Sequence, residues 1–353
     1  MKKCEVRRLH TVTYENGLVM QERLADMRKR DEIPDQLLLL QHPPVVTLGR
    51  SGRIENLLVS GPDLESCGVR FYETTRGGDI TYHGPGQLVG YPIIHLGEGR
   101  RDIRKYVTAV EEVLIRVAHD FGIEATRSES ERGVWVGDEK LAALGVRISR
   151  WTTSHGFALN VTTNLDHFRL ITPCGIADKG VTSLQKLTGR QIDMEDVIRR
   201  VESHFQDIFE LELTHRDHDL EIVKVIVRHR DRYLLLHRGE HDFWQPVTGR
   251  IESGEMPRDA ARRELAEETG HEVLPSPLDL RQSFAIDPSY LSSEWPVFAD
   301  ERTFLAEVPH EGVKMATEEH DAFEWLSLSE ALQRVRWSDD REALEYADAR
   351  AHA

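Results

Sequence analysis

Three glutamates, Glu264, Glu267 and Glu268, stand at i, i+3 and i+4 of a segment whose alanines, leucine and arginines favour a helix. Carboxylates spaced this way share one face, and like charges at i and i+4 cost a bare helix roughly a few tenths of a kcal/mol. A cation held between them accounts for the arrangement, and oxygen-only ligands point to Mg²⁺ or Mn²⁺. A glycine-bearing turn from Gly249 to Gly254, followed by Glu255, lies just upstream. The competing reading is a solvated acidic helix paired to Arg262 and Arg263. A second cluster, Arg76-Gly-Gly-Asp-Ile-Thr-Tyr-His83-Gly-Pro-Gly-Gln87, sets an arginine and a histidine among glycines. Such a loop lets backbone approach a ligand closely, although Gly-Pro-Gly marks a turn as readily as a site. Cys174 closes the run Leu170-Ile-Thr-Pro in a tight turn. Residue type alone leaves it open between a small buried hydrophobe and a nucleophile.

The elements that must carry these groups are legible in outline. Pro257 suits a first helical turn, Ala260 and Ala261 favour helix, and Gly270 suits a left-handed C-cap, which predicts a helix over Pro257–Thr269. Glu221–Val227 and Tyr233–Leu236 read as a hairpin, strands are expected at Arg281–Ile286 and Thr303–Val308, and a short helix at Ser329–Val335. That set fits an α/β/α sandwich. Upstream, β-like runs at Gln36–Leu40, Val45–Leu48, Val89–His95, Gly133–Val136 and Phe157–Val161 mix with helical ones at Gly17–Arg28, Ile103–Phe121 and Met194–Phe209. They predict an α/β (α+β) domain with a mixed sheet. Between Leu211 and Leu220 a polar run without apolar periodicity suggests a boundary, giving domains 1–213 and 220–353 joined by a linker at 214–219.

At 353 residues the chain is long for one core. Its formal net charge of −16 opposes nonspecific nucleic-acid binding, which needs a basic face. Cys4, Cys67 and Cys174 have no C-x-x-C spacing, so neither a disulfide framework nor a zinc site is expected. No apolar run approaches the roughly 20 residues of a membrane span. A cytoplasmic protein with no membrane attachment is expected.

The segment from Gly249 to Gly270 resembles the Nudix box, G-x5-E-x7-R-E-U-x-E-E-x-G-U, with His271 in place of the usual final aliphatic residue. Chance agreement at that many fixed positions is on the order of 10⁻⁵, which favours the metal reading over the solvated helix. The resemblance implies a metal-dependent hydrolase of a nucleoside diphosphate linked to another group. Glu264 and Glu268 would be the principal ligands, Glu267 a ligand or base, Arg263 an orienting partner and Glu255 a support. Further strings, Arg238, Asp242–Gly249, Glu319–Leu326 and Trp337–Leu344, resemble the dihydroneopterin triphosphate pyrophosphatase branch. By that resemblance Glu319 is a further ligand, and Arg238 and Thr248 contact a small-molecule triphosphate. Phe243 and Trp244 suit either stacking on a heterocycle or packing in a core. The stretch between Phe284 and Phe304 lacks the branch's arginine- and threonine-rich loop.

The segments His42–Arg50, Arg76–Leu88, Lys140–Arg147, His155–Asn160 and Pro173–Leu184 resemble, in order and spacing, the lipoyl(octanoyl) transferases, over about residues 5 to 213. The implied fold is that of biotin and lipoate protein ligases. The implied activity moves an octanoyl group from acyl carrier protein to a lysine of lipoyl domains, in 2-oxoacid dehydrogenases and the glycine-cleavage carrier protein, and this half needs no cofactor. Cys174 matches the cysteine that carries the acyl thioester, and Lys140 the lysine that lowers the thiol pKa and serves as acid and base. In a chain where arginine far outnumbers lysine, a lysine there is informative. Substrate contacts would come from Arg76, Gly77, Gly78, Asp79, Ile80, Thr81, Tyr82 and His83, from Ala143, Leu144 and Gly145, and from Gly156, Phe157 and Ala158. Holding loops through hydrogen bonds is an equal expectation for His83 and His155. Lipoate ligase is the alternative activity, and Cys174 argues against it. On the Nudix side the alternatives are a nucleotide sensor and a general sanitiser of the nucleotide pool.

Overall fold

The run Asp-Gln-Leu-Leu-Leu-Leu-Gln is buried at nearly every position, as a strand covered on both faces must be. In the computed structural model, which describes residues 2–99, 101–128, 131–172, 179–286, 297–316 and 319–352, this strand, Asp35–Gln41, is central to the first of two compact units, Met1–Asp217 and His218–Ala353. Lys2–Thr11 pairs parallel with it on one side, and Gln87–Ile93 pairs antiparallel on the other. Thr152–Asn160 and Glu139–Ser149 continue the antiparallel order. Leu211–His215 adds to the outer side of Lys2–Thr11 in parallel. That last strand falls where the sequence reading places only a polar run. Leu211 is buried and packs with Leu213 into the core, so the unit runs past residue 213.

The helices behave as their periodicity predicts. Ile103–Asp120 is capped by Asp102 and buries Val107, Val110, Leu114 and Val117. Met194–Phe209 is capped by Asp193 and buries Val197, Val201 and Phe205. The two pack on each other over one core with strand residues such as Leu39, Phe157 and Leu159. A small second sheet pairs Val45–Leu48 with Arg70–Glu73 and Ile80–His83. Glu139–Ser149 and Thr152–Asn160 are joined by Arg150 and Trp151, both at positive φ (50° and 61°). That is a two-residue hairpin turn built without the Asn-Gly pair that would mark it in sequence.

In the second unit Leu220–His229 pairs parallel with Val297–Glu307, which pairs antiparallel with Ser276–Ile286. Alternation sends Val223, Val225 and Val227 to the helix Pro257–Thr269, through Ala260, Ala261 and Leu265. Ile226 goes to the opposite face, with Leu328–Arg334 and Ser338–Ala351. The result is the expected α/β/α sandwich.

Candidate active sites

Antiparallel register sets Gly156 beside Gly145, Phe157 beside Leu144 and Ala158 beside Ala143, and on its other side Phe157 beside Gly90. Two of the expected substrate segments are therefore adjacent rungs of one sheet. Side chains are excluded where backbones close up: a Cβ on Gly156 would lie 2.2 Å from the Gly90 carbonyl oxygen. The Arg76 loop docks on the same sheet through the Gly77 N–H, which donates to Val146 O at 3.0 Å. A Cβ on Gly145 would come within 3.0 Å of both Arg76 Cδ and Gly77 O. Together these pieces enclose a cavity of about 580 Å³.

Of the expected contacts, Arg76 to Thr81, His83, Ala143 to Gly145, Gly156 to Ala158 and Lys140 all line that cavity. Tyr82 does not: its ring packs on Phe168 and its hydroxyl meets His167 Nδ1 at 2.7 Å. Its neighbours Thr81 and His83 share the opposite side of the strand, as period-two alternation requires. Cys174 lies outside the described residues.

The polar groups of the cavity are held individually. Arg76, 7% exposed, donates to Thr47 O (2.7 Å), Thr47 Oγ1 (2.9 Å) and Gly77 O (3.1 Å). His42 bridges Val12 O (2.5 Å) and the Tyr91 hydroxyl (2.6 Å). Burial pushes the pKa of His83 down to about 3, with His42 and Arg76 adding to the effect, and those of His42 and His155 down to about 4. All three imidazoles are neutral at physiological pH. Lys140 is buried, with Nζ 4.6 Å from the centroid of the Trp135 ring and 4.0 Å from Glu131 Oε2. Lys179 stands on the same ring, also at 4.6 Å, and pairs with Glu131 Oε1 at 2.9 Å. The sequence reading passes over Glu131, Trp135 and Lys179. Glu131 sits in a polar Ser-Glu-Ser-Glu-Arg string that reads as an ordinary loop.

In the second unit the helix Pro257–Thr269 carries Glu264, Glu267 and Glu268, with Gly270 at φ 74° as its cap. Arg263 fans across the acidic groups: Nε and Nη2 reach Glu255 at 2.9 Å, and Nη1 reaches Glu264 at 2.6 Å and Glu267 at 3.3 Å. A Cβ on Gly249 would fall 1.8 Å from the Glu264 carboxyl carbon, so any larger residue there would displace this carboxylate. Burial raises the pKa values of Glu264 and Glu268 above the usual carboxylate range. Ligand atoms of Glu268, Glu319 and His320 lie within 4.8 Å of one another. Glu268 Oε2 stands 3.4 Å from His320 Nε2, and neither these two atoms nor His320 Nδ1 has a hydrogen bond of good geometry among the described residues. Two carboxylates and an imidazole that converge, with these buried atoms of Glu268 and His320 in no well-formed hydrogen bond, fit a divalent cation. His320 is absent from the expected ligand set, although it directly follows Glu319. Arg238 donates to Glu319, and the Thr248 hydroxyl accepts from Gln245 at 3.3 Å. Phe243 is buried edge-on to Trp337, and Trp244 packs between His237 and the Arg334 guanidinium, so both are engaged within the unit. His271 is buried beside His310 and takes the packing place of the aliphatic residue.

Residues 13–206 match the lipoyl protein ligase A/B catalytic domain, and residues 220–347 match the NUDIX domain. The chain therefore belongs to the lipoyl protein ligase A/B catalytic family and carries a Nudix domain behind it. An octanoyltransferase of Myxococcus xanthus is 43% identical over 361 residues, spanning 99% of this chain and 100% of that protein. One from Caldicellulosiruptor saccharolyticus is 48% identical over 234 residues, 65% of this chain and 100% of its own. The crystal structure of lipoate-protein ligase A bound with ATP shares the fold, with a TM-score of 0.51 at 15% identity, covering 60% of this chain and 89% of that one. The chain is an acyltransferase joined to a Nudix pyrophosphohydrolase. Among the described residues no helix is long and apolar enough to cross a membrane.

Proposed function

We propose that the first unit transfers an octanoyl group from octanoyl-acyl carrier protein to a lysine of lipoyl domains, through a thioester on Cys174. The observation that carries this reading is the single cavity lined by Lys140, the Arg76 loop and the paired strands at 143–145 and 156–158, in a chain resembling a named octanoyltransferase along its whole length. In the first step the Cys174 thiolate attacks the donor thioester carbonyl, and the carrier thiol leaves with a proton from Lys140. In the second, the lysine amine attacks the enzyme thioester, loses a proton to Lys140 and releases the Cys174 thiolate. Mass spectrometry after incubation with octanoyl carrier protein should show one octanoyl adduct, absent in Cys174→Ser. A serine variant with normal transfer would refute the thioester route. A reaction between carrier-bound acyl chains and lipoyl domains suits the cytoplasm.

The second unit, on the same proposal, hydrolyses a triphosphate such as dihydroneopterin triphosphate with Mg²⁺ or Mn²⁺. The residues suited to hold the ion are Glu264, Glu267, Glu268 and Glu319, with His320 beside them. A bound Mg²⁺ would neutralise phosphate oxygens and acidify a water. Arg263 orients the carboxylates, and the buried Glu268 oxygen, 3.4 Å from His320 Nε2 and in no well-formed hydrogen bond among the described residues, supports the reading. Assaying pyrophosphate release from dihydroneopterin triphosphate beside ordinary and oxidised nucleoside triphosphates tests it. Preference for an oxidised purine nucleotide would replace the pteridine assignment with pool sanitation.

A further inference from the structure

The tautomer of His83 is fixed by a chain of side-chain amides that begins at a backbone carbonyl. The Thr182 carbonyl can only accept, so the Asn160 partner at 2.9 Å is its NH₂ group. Asn160 Oδ1 therefore faces Gln87 and accepts from its Nε2 at 2.9 Å, while the same Nε2 also donates to Tyr82 O at 3.2 Å. With its NH₂ committed to two acceptors, Gln87 turns Oε1 to His83 Nδ1, at 2.7 Å. Each link dictates the polarity of the next, and Nδ1 carries the proton. His83 Nε2 keeps its lone pair and has no partner among the described residues, in a side chain that lines the cavity. The chain is anchored at the catalytic side, because the Thr182 N–H donates to Lys140 O at 3.0 Å.

We propose that His83 Nε2 is a preset hydrogen-bond acceptor for an N–H of the attacking lysine amine, with Gln87 and Asn160 as positioning residues. This rests on the octanoyl-transfer reading. A neutral amine that gives one N–H to this acceptor has its rotation restricted, which favours aiming its lone pair at the thioester carbonyl. The imidazole is too weakly basic to remove the proton, since burial lowers its pKa to about 3. Proton removal is left to Lys140.

The two half-reactions separate the possible donors. Enzyme acylation by octanoyl carrier protein and transfer from acyl-enzyme to a purified lipoyl domain are each followed in single turnover by mass spectrometry. His83→Leu should slow transfer by about ten- to a hundredfold, the range for one lost hydrogen bond in a buried site, and slow it clearly more than it slows acylation. His83→Gln, whose Oε1 can still accept, should recover most of the transfer rate, and Gln87→Leu should behave as a weaker His83→Leu. A loss confined to acylation would assign the acceptor to the amide of the donor's pantetheine arm and overturn the amine assignment. Equal loss in both halves, with glutamine no better than leucine, would make His83 a packing residue. Nitrogen-15 spectra of histidine-labelled wild-type protein, with His83→Leu as the assignment control, should show the Nδ1–H form. An Nε2–H form would refute the proposal independently of any variant's folding. Wild-type protein that neither acquires nor transfers an octanoyl group would instead refute the parent reading, and that result precedes every variant.

Discussion

Replacing Glu301 by glutamine should stabilise the second unit at neutral pH, although it removes a carboxylate 2.8 Å from a lysine. Lys224 is fully buried and faces three acids: Glu301, Asp340 at 2.7 Å and Asp339 at 3.1 Å. Were all three ionised, two negative charges would remain uncompensated in the core, a state that burial makes costly. Burial instead raises the pKa of Glu301 from its ordinary 4.5 to about 8 and that of Asp340 to about 6, so the cluster retains a proton. Above pH 4.5 the unfolded chain gives up the Glu301 proton while the folded chain keeps it. The folded state binds more protons in this window, so the stability is fully present below 4.5 and is lost as pH rises to about 8. At about 1.4 kcal/mol per pH step, the loss by pH 7 is about 3 kcal/mol. Glutamine keeps the neutral shape and the Oε1 acceptor for Lys224 without that loss. Glu301→Gln should therefore raise the melting temperature of this unit by roughly 10 °C at pH 7, from about 3–4 °C per kcal/mol for a unit of this size, and change it little at pH 4.5. Calorimetry of the full chain between pH 4.5 and 8 measures this. Destabilisation at pH 7 would show that Glu301 is ionised and paired, and would refute the reasoning.

Lys140→Arg keeps a cation over Trp135 but cannot give up its proton, so octanoyl transfer should fall at least a hundredfold; turnover equal to wild type would reduce Lys140 to an electrostatic partner. Glu268→Gln removes a buried carboxylate from the candidate metal site and should lower Mg²⁺-dependent hydrolysis by about a thousandfold while octanoyl transfer is unaffected. Gly156→Ala would press a methyl to 2.2 Å from a backbone oxygen, so it should lower the stability of the first unit by about 2 kcal/mol or more. A melting curve that coincides with wild type would show that the sheet can spread there.

What the sequence shows of the fold follows from how local its signals are. Helices Ile103–Asp120, Met194–Phe209 and Pro257–Thr269 write their caps and buried faces into adjacent residues, and the sequence places each within a residue. The strand Leu211–His215 exists because Lys2–Thr11 offers it a parallel edge, two hundred positions away in the chain. Nothing near Leu211 announces that edge. The hairpin at Arg150 and Trp151 is hidden for a related reason, since tertiary pairing holds two residues at positive φ that local preference would not choose.

The candidate sites divide along the same line. Glu264, Glu267 and Glu268 are legible because one helix supplies the geometry, whereas the glycines at 145 and 156 are read only through the family resemblance, and their close approach to other strands and loops exists only once the sheet has formed. His320, Glu131 and Lys179 are ordinary residues until folding sets them beside Glu268 and Lys140. The relay from Thr182 through Asn160 and Gln87 to His83 joins four separate points of the chain, and its information is a polarity, which neither residue type nor spacing encodes. A motif reading recovers which groups are present at such a site. Which lone pair each group is left to offer depends on partners that only the assembled sheet brings into place.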